Sequence, residues 1–485
     1  MTFRLNLAAF TVAVVVLCAA PQTQAQTALP AEIDAALTRA KLPKDAISIL
    51  VMDTALGRTA PRLSYRATTP VNPASVMKLV TTYAALDLLG PAYTWNTPVY
   101  LDGPVHNGTL QGNLIIKGVG DPKLVMERLW LLLRRVQGLG IKTIAGDIIL
   151  DHSAFDVPEV DPASFDGEAL RPYNAAPDAL LLNFKSVIMT FSPDRVAGVA
   201  QIGADPPLAG VQLPASVPLQ AGDCGDYRAA LKADFSDANR IRLAGAYPVN
   251  CGEKIWPVAY VDPKSYAARA VEGQWRDLGG KLTGRVRDGA VPAGLRPAFE
   301  QPSPPLADVV RDINKYSNNV MAQQVFLSLS LPPLVPSALS SALPAATFDA
   351  SREVVRSWWK ERLPGVDVPT LENGSGLSRN ERITAQALGQ MLQVAYQSPV
   401  MPELMSSLPI AGVDGTLRRA KTRTAQGAAH LKTGSLRDVA AVAGYVLGAS
   451  GRRYVLVVIV NHPTLANNAR PVFEALIDWV QKDRS

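Results

Sequence analysis

Three observations in the sequence predict a mixed α+β fold, with a helix-rich unit built from both ends of the chain and β-rich units inserted between. An apolar stretch that opens at Asn72-Pro73 and closes at Gly90 reads as a buried helix close to the N-terminus. From about Trp95 to Pro305 the pattern changes to short β-prone runs separated by Gly, Asn, Asp and Pro. Helical spacing returns at Leu306, and two β-branched runs, Val439–Leu447 and Arg453–Asn461, then precede a final helix over Ala466–Lys482.

Each element has its own signal. Pro30–Lys41 spaces its apolar residues as a small amphipathic helix. Ala46–Asp53 has the β-branched density of a strand, and Leu56-Gly57 offers a turn into a partner over Arg62–Ala67. In the middle of the chain, strands are predicted at Pro98–Asp102, Thr109–Lys117, Thr143–Leu150, Ala179–Ser192, Val196–Pro207, Arg240–Leu243 and Val258–Val261. A Leu- and Arg-rich helix covers Leu124–Leu139. The glycine-rich Gly118–Pro122 reads as a turn, because it lacks the lysine and spacing of a phosphate loop. Pro302–Pro305 forms a stiff connection. Helices then follow at Leu306–Tyr316, Val320–Leu329, Phe348–Glu361 and Ile383–Gln397, with a Pro/Ser/Ala loop at Leu331–Thr347. Asn373–Leu377 and Gly412–Leu417 carry too many glycines for regular structure, and Ala449-Ser450-Gly451 can turn one β-branched run into the next.

Composition bounds the setting. With 485 residues, 48% apolar and 19% charged, the chain can bury more than one core. Residues 1–25 read as a secretory signal, with Arg4, an apolar run over Leu5–Ala20 and a cleavage site at Thr23-Gln24-Ala25. Removal of the signal, which contains Cys18, leaves Cys224 and Cys251. In an oxidising compartment these are expected to form one disulfide. The net charge of +6 suits an anionic wall polymer or a membrane surface, but the basic residues are scattered and no nucleic-acid motif is present. The four histidines show no metal-site spacing, so neither metal nor cofactor is expected.

The chemistry is carried by three short motifs in order: Ser75-x-x-Lys78, Ser317-x-Asn319 and Lys432-Thr433-Gly434. Each is common by chance; a helix cap or a strand turn would explain any one alone. Together they supply what acyl transfer to a serine requires. Ser75 and Lys78 share one helical face, so a desolvated Lys78 can act as base toward the Ser75 hydroxyl. Ser317 can pass the proton to a leaving nitrogen, and Asn319 can orient Lys78 and bind a substrate amide. Lys432, on an edge strand, would supply positive charge for a substrate carboxylate, while Gly434 lets a substrate backbone approach. Oxyanion donors would be the backbone N–H groups of Ser75 and of the strand near Ser435.

These motifs resemble those of the penicillin-recognising serine transferases. More narrowly, the chain resembles the class C low-molecular-mass penicillin-binding proteins, the D-alanyl-D-alanine carboxypeptidase/endopeptidases of the penicillin-binding protein 4 type. The resemblance extends over the whole mature chain through Lys117–Pro122, Gly146–Asp151, Arg171–Ala175, Asn373–Arg379 and Gly412–Leu417. It implies a serine β-lactamase/transpeptidase-like domain, an antiparallel sheet flanked by helices, split between residues 26–95 and 300–485. It also implies an inserted domain over 96–172 and 262–299, and another over 173–261. The implied activity is release of terminal D-Ala from peptidoglycan stem peptides, and cleavage of D-Ala–diaminopimelate cross-links, in the periplasm. β-Lactams would be covalent inhibitors, and peripheral membrane contact and a homodimer are compatible with the family. Asp151 and Arg379 match the residues that recognise the substrate side chain. Two positions depart from the pattern: Asn373 stands where Asp is usual, and Arg437 where Gln is common. Two alternatives share the residues, a β-lactamase or esterase of the same fold and a wall-binding scaffold without turnover.

Overall fold

The computed structural model describes residues 28–55, 60–331 and 345–484. The expected signal, the expected Leu56-Gly57 turn and most of the expected Leu331–Thr347 loop lie outside the described residues.

The two ends of the chain meet in one five-stranded antiparallel sheet. Its strands run in the order Ala429–Leu436, Val439–Leu447, Arg453–Asn461, Ile47–Asp53, Leu63–Tyr65. The nearly unbroken apolar run Tyr454–Val460 has a physical cause, since both faces of this sheet are covered. Val455, Val457 and Ile459 face one core; Leu456, Val458 and Val460 face the other. The second core is closed by the helices Ala31–Ala40 and Arg470–Gln481, and the first by a helical layer. At the centre of that layer lies the helix Lys78–Leu89, which touches the helices Leu306–Tyr316, Asn319–Ser328, Phe348–Arg362, Ala385–Tyr396 and Met401–Ser407. Gly90, at φ +81°, ends it as expected.

Its start differs from the expectation. Ala74–Met77 is a 3-10 turn and the α-helix begins only at Lys78. Asn72 does not cap a helix but closes an Asx turn, its Oδ1 accepting from Ala74 N–H at 2.8 Å. The turn is tighter because Ala74 adopts φ +47°, which α-helical geometry does not allow.

The chain leaves this unit and re-enters it at one point. Strand Asn96–Asp102 pairs antiparallel with the returning strand Phe299–Pro302, and Leu306 N–H donates to Tyr93 O at 2.8 Å. Some 200 residues between them (Asp102 to Phe299) can therefore fold apart without breaking the layer around the serine helix. Together with those two boundary strands they form two further five-stranded sheets, a four-stranded and a two-stranded one. Two predicted strands are each broken in two. Thr109–Leu110 and Thr143–Ile144 serve the four-stranded sheet, whereas Asn113–Lys117 and Ile148–Asp151 serve a five-stranded one. The breaks fall at Gly112 and Gly146, where the backbones meet and Gly146 N–H donates to Gly112 O at 3.0 Å. The helices Pro263–Asp277 and Met401–Ser407 were not anticipated. The first had a signal, since Pro263 begins it and Ala267, Val271 and Trp275 recur every four residues. Cys224 and Cys251 are joined in a disulfide. No helix among the described residues is long and apolar enough to cross a membrane.

Candidate active site

Ser75 lies in the 3-10 turn that precedes the buried helix, half-exposed, and the surrounding chain is pressed against its backbone. A Cβ on Gly376 would come within 2.0 Å of Ala74 O, and one on Gly434 within 2.6 Å of Pro73 O. Only glycine permits both approaches. Asn72 fixes the turn from a third side. Its N–H donates to Asn461 Oδ1 at 2.8 Å, Asn461 Nδ2 donates back to Asn72 O at 2.9 Å, and Asn72 Nδ2 donates to Ser378 O at 2.9 Å.

Lys78 is fully buried, and its Nζ lies 2.9 Å from Ser75 Oγ. The same nitrogen donates to Asn319 Oδ1 at 2.6 Å and to the carbonyl oxygen of Ser375. Three acceptors thus surround the nitrogen, and a neutral amine that keeps its two hydrogens on Asn319 Oδ1 and Ser375 O would turn its lone pair to the serine hydroxyl. Burial, and next the positive charge of Lys432, push Lys78 well below the ordinary lysine range, while Glu381 pulls the other way. The Ser375 carbonyl was invisible in the sequence, because a backbone acceptor has no residue signature.

The second and third motifs meet each other. Ser317, at φ +57° between two helices, accepts a hydrogen bond from Lys432 Nζ at 2.8 Å. Asn318 caps the following helix by accepting from Met321 N–H, and this directs Asn319 inward to Lys78. Lys432 is on the edge strand as expected, but it is fully buried and also donates to Thr433 O at 2.7 Å. Burial lowers it to about 7. When protonated it acts from beneath the strand, which offers Thr433 and the exposed Ser435 at its surface. Thr433 Oγ1 donates to Thr416 Oγ1 at 2.7 Å. Gly434 brings this strand to the nucleophile, since a Cβ there would sit 3.2 Å from Ser75 N. The N–H groups of Ser75 and the Ser435 region thus share one small space.

Asp151 does not join the site. It is buried at the end of strand Ile148–Asp151, and its carboxylate accepts from Ser153 N–H and Val291 N–H, both at 2.9 Å. The local sequence resembled a substrate-binding acid, but the carboxylate is consumed inside the inserted region. Arg379 is exposed, paired with Asp438 at 2.7 Å and stacked 4.6 Å from the Phe165 ring. Next to Phe165, Asp166 accepts from Tyr173 OH at 2.9 Å and from Asn174 Nδ2 at 2.8 Å. Tyr173 O in turn accepts from Asn319 Nδ2 at 3.1 Å. The inserted region therefore reaches Asn319 through Tyr173, and the acid it places beside Tyr173 is Asp166. Sequence reading missed Asp166 because its placement needs the insertion to fold back. A cavity of about 550 Å³ lined by His152, Asp178, Lys185 and Tyr260 contains none of the three motifs.

The profile of the D-Ala-D-Ala carboxypeptidase 3 (S13) family matches residues 29–482. A D-alanyl-D-alanine carboxypeptidase of an Actinomadura species is 30% identical over 452 residues, covering 88% of this chain and 79% of the relative. A D-alanyl-D-alanine carboxypeptidase of Haemophilus influenzae is 26% identical over 82% of each chain. The crystal structure of penicillin binding protein 4 from Haemophilus influenzae superposes with a TM-score of 0.70 at 23% identity, covering 92% of this chain and 99% of the other. A second structure of that protein, with a bound β-lactam, gives 0.68 at 24%. These likenesses establish the fold as mixed α+β of the penicillin-binding type.

Proposed function

We propose, for a chain that belongs to the D-Ala-D-Ala carboxypeptidase 3 (S13) family, a serine acyl-enzyme mechanism at Ser75 that acts on peptidoglycan stem peptides. The observation that carries it is the nitrogen of Lys78, held by two carbonyl acceptors with its third direction on Ser75 Oγ. Ser75 attacks the carbonyl carbon of the penultimate D-Ala while its proton passes to Lys78. The tetrahedral oxyanion is met by the N–H groups of Ser75 and the Ser435 region. Ser317 accepts from Lys432, so its own hydrogen is free for the leaving nitrogen. Departure of D-Ala leaves an ester on Ser75, and water then releases the shortened peptide. The buried charge of Lys432 favours a substrate carboxylate near Thr433 and Ser435.

The same steps cut a cross-link when the leaving amine belongs to a diaminopimelate residue, which is the D,D-endopeptidase reading. Arg379 and Asp166 lie near one another and suit a substrate side chain bearing both an amine and a carboxylate. β-Lactams would acylate Ser75 by the same attack. The domain division 26–95 with 300–485, 96–172 with 262–299, and 173–261 is supported by the separate sheets; the first unit has its own cores, whereas the two inserted units share one. Export to the periplasm fits residues 1–25 and the disulfide.

Labelling with a fluorescent penicillin tests the mechanism. Wild type should be labelled stably and Ser75→Ala not at all, and digestion of purified muropeptides then separates terminal D-Ala release from cross-link cleavage. Rapid β-lactam hydrolysis without a stable label would favour a β-lactamase. Neither labelling nor hydrolysis would reject the acyl-enzyme and leave a wall-binding scaffold.

A further inference from the structure

Glu381 is a titratable group that the mechanism above leaves unused. Its side chain is fully buried. Oε1 accepts the backbone N–H groups of Glu372 at 3.0 Å and Asn373 at 3.3 Å, so this one oxygen holds the start of the Glu372–Ser378 turn. That turn delivers two carbonyls to the serine helix: Ser375 O accepts from Lys78 Nζ, and Gly374 O accepts from Thr81 Oγ1 at 2.6 Å. Gly376 of the same turn abuts the backbone of Ala74 and Ser75.

The second oxygen, Oε2, is buried with no hydrogen-bond partner. Holding the turn needs only one acceptor, which a glutamine amide or a backbone carbonyl would supply. An orphaned carboxylate oxygen in a dry interior is costly, and what offsets it here is the charge of Lys78. The charged groups that face it are few. Lys78 of the serine helix attracts it and Glu372 of the turn repels it, while Arg382 reaches only its backbone oxygen. Lys432 opposes Glu381 in setting the charge on Lys78.

We propose that Glu381 is a positioning residue for acylation: it holds the turn that presents Ser375 O to Lys78, and its buried negative charge stabilises the ammonium that forms when Lys78 takes the Ser75 proton. Burial pushes the Glu381 carboxyl up to about 7, against the pull of the two backbone amides and Lys78, so its charge changes in the working pH range. The inference rests on Lys78 being the base for Ser75.

The experiment is the pH dependence of Ser75 acylation by a fluorescent penicillin in wild type, Glu381→Gln and Glu381→Asp. The glutamine keeps an acceptor for the turn and removes the charge. Its acidic limb should move to lower pH, because Lys78 loses a group that holds its proton. Its plateau should fall by about threefold or more, because Lys78 becomes the weaker base. Glu381→Asp, with the charge kept, should restore the limb to its wild-type position even at a lower plateau. A Glu381→Gln limb that coincides with wild type overturns the proposal and leaves the acyl-enzyme intact. Failure of wild type itself to label instead rejects the mechanism it rests on. If Glu381→Gln does not fold, the coupling is read from the other partner, since linkage is reciprocal. The infrared band of a protonated buried carboxyl should persist to higher pH in Lys78→Met than in wild type, and an unmoved band overturns the proposal.

Discussion

In the proposed mechanism a lysine acts as base because burial removes its water and disfavours its charged form. Lys78 is fully buried, and two carbonyl oxygens take its hydrogens. Lys78→Met keeps the apolar stem and removes the nitrogen, so acylation by penicillin should fall by roughly 10³-fold with little loss of fold, as measured by stopped-flow labelling and thermal unfolding. The sign of the pH effect follows from the depressed value. Acylation requires the neutral amine, so the rate should rise with pH through a limb that lies well below the ordinary lysine range of 10.5. A limb at the ordinary value would show that Lys78 is not the base. At this scale the motif residues were legible, whereas Ser375 O, Asp166 and the wrongly assigned Asp151 were not. The reason is that a side chain's neighbours, not its type, decide whether its polar atoms are free for substrate.

At the scale of elements, the site depends on two glycine approaches and one edge strand. Gly434 allows Ala429–Leu436 to lie against the Pro73–Val76 backbone, where a Cβ would fall 2.6 Å from Pro73 O and 3.1 Å from Val76 N. Gly434→Ala must therefore open the gap between strand and serine. A displacement on the order of 1 Å predicts about 10²-fold slower acylation with most of the stability retained, as read by labelling rate beside thermal midpoint. The strand itself was legible from its β-branched neighbours. The 3-10 start of the serine helix was not, because Pro73 and Asn72 are equally compatible with an ordinary cap. Ala74 at φ +47° decides the matter, and that conformation is imposed by the Gly376 and Gly434 segments packed around it.

Across the whole molecule, the inserted region is tied to the catalytic unit by a charged joint. His152 Nδ1 lies 2.5 Å from Asp178 Oδ1, Lys185 bridges Asp178 at 2.9 Å, and Gln324 Nε2 of the helix Asn319–Ser328 donates to Asp178 O at 2.8 Å. Burial alone would lower His152, but the hydrogen bond and charge of Asp178, with the charge of Asp288, raise it above 6.5. A raised histidine stabilises fully below 6.5, and that contribution is lost as pH rises through the folded value. The stability gap between wild type and His152→Gln should therefore narrow as pH rises, measured by thermal unfolding across neutral pH; a constant gap would show that the imidazole is uncharged in the joint. The Cys224–Cys251 bridge closes a loop of sequence separation 27. Its removal in Cys224→Ser/Cys251→Ser should cost the inserted sheets about 3 kcal/mol by loop entropy, seen as a lower thermal midpoint. Penicillin labelling should be left in place.

The sequence by itself determined the class of chemistry and the large architecture. Periodicity is a local property, so the buried helix, the two-faced strands and the β-rich middle could be read from spacing alone. Three motifs in order pointed to acyl transfer, because together they bring a nucleophile, a base and a cation that none of them supplies alone. Only the tertiary structure decided which atoms are free. It buried Lys432 beneath Ser317, consumed Asp151 inside a strand junction, placed Asp166 beside Tyr173, and set Glu381 behind the turn that holds Lys78. These outcomes depend on burial and on contacts between residues hundreds of positions apart. Desolvation and long-range hydrogen bonding leave no pattern along the chain.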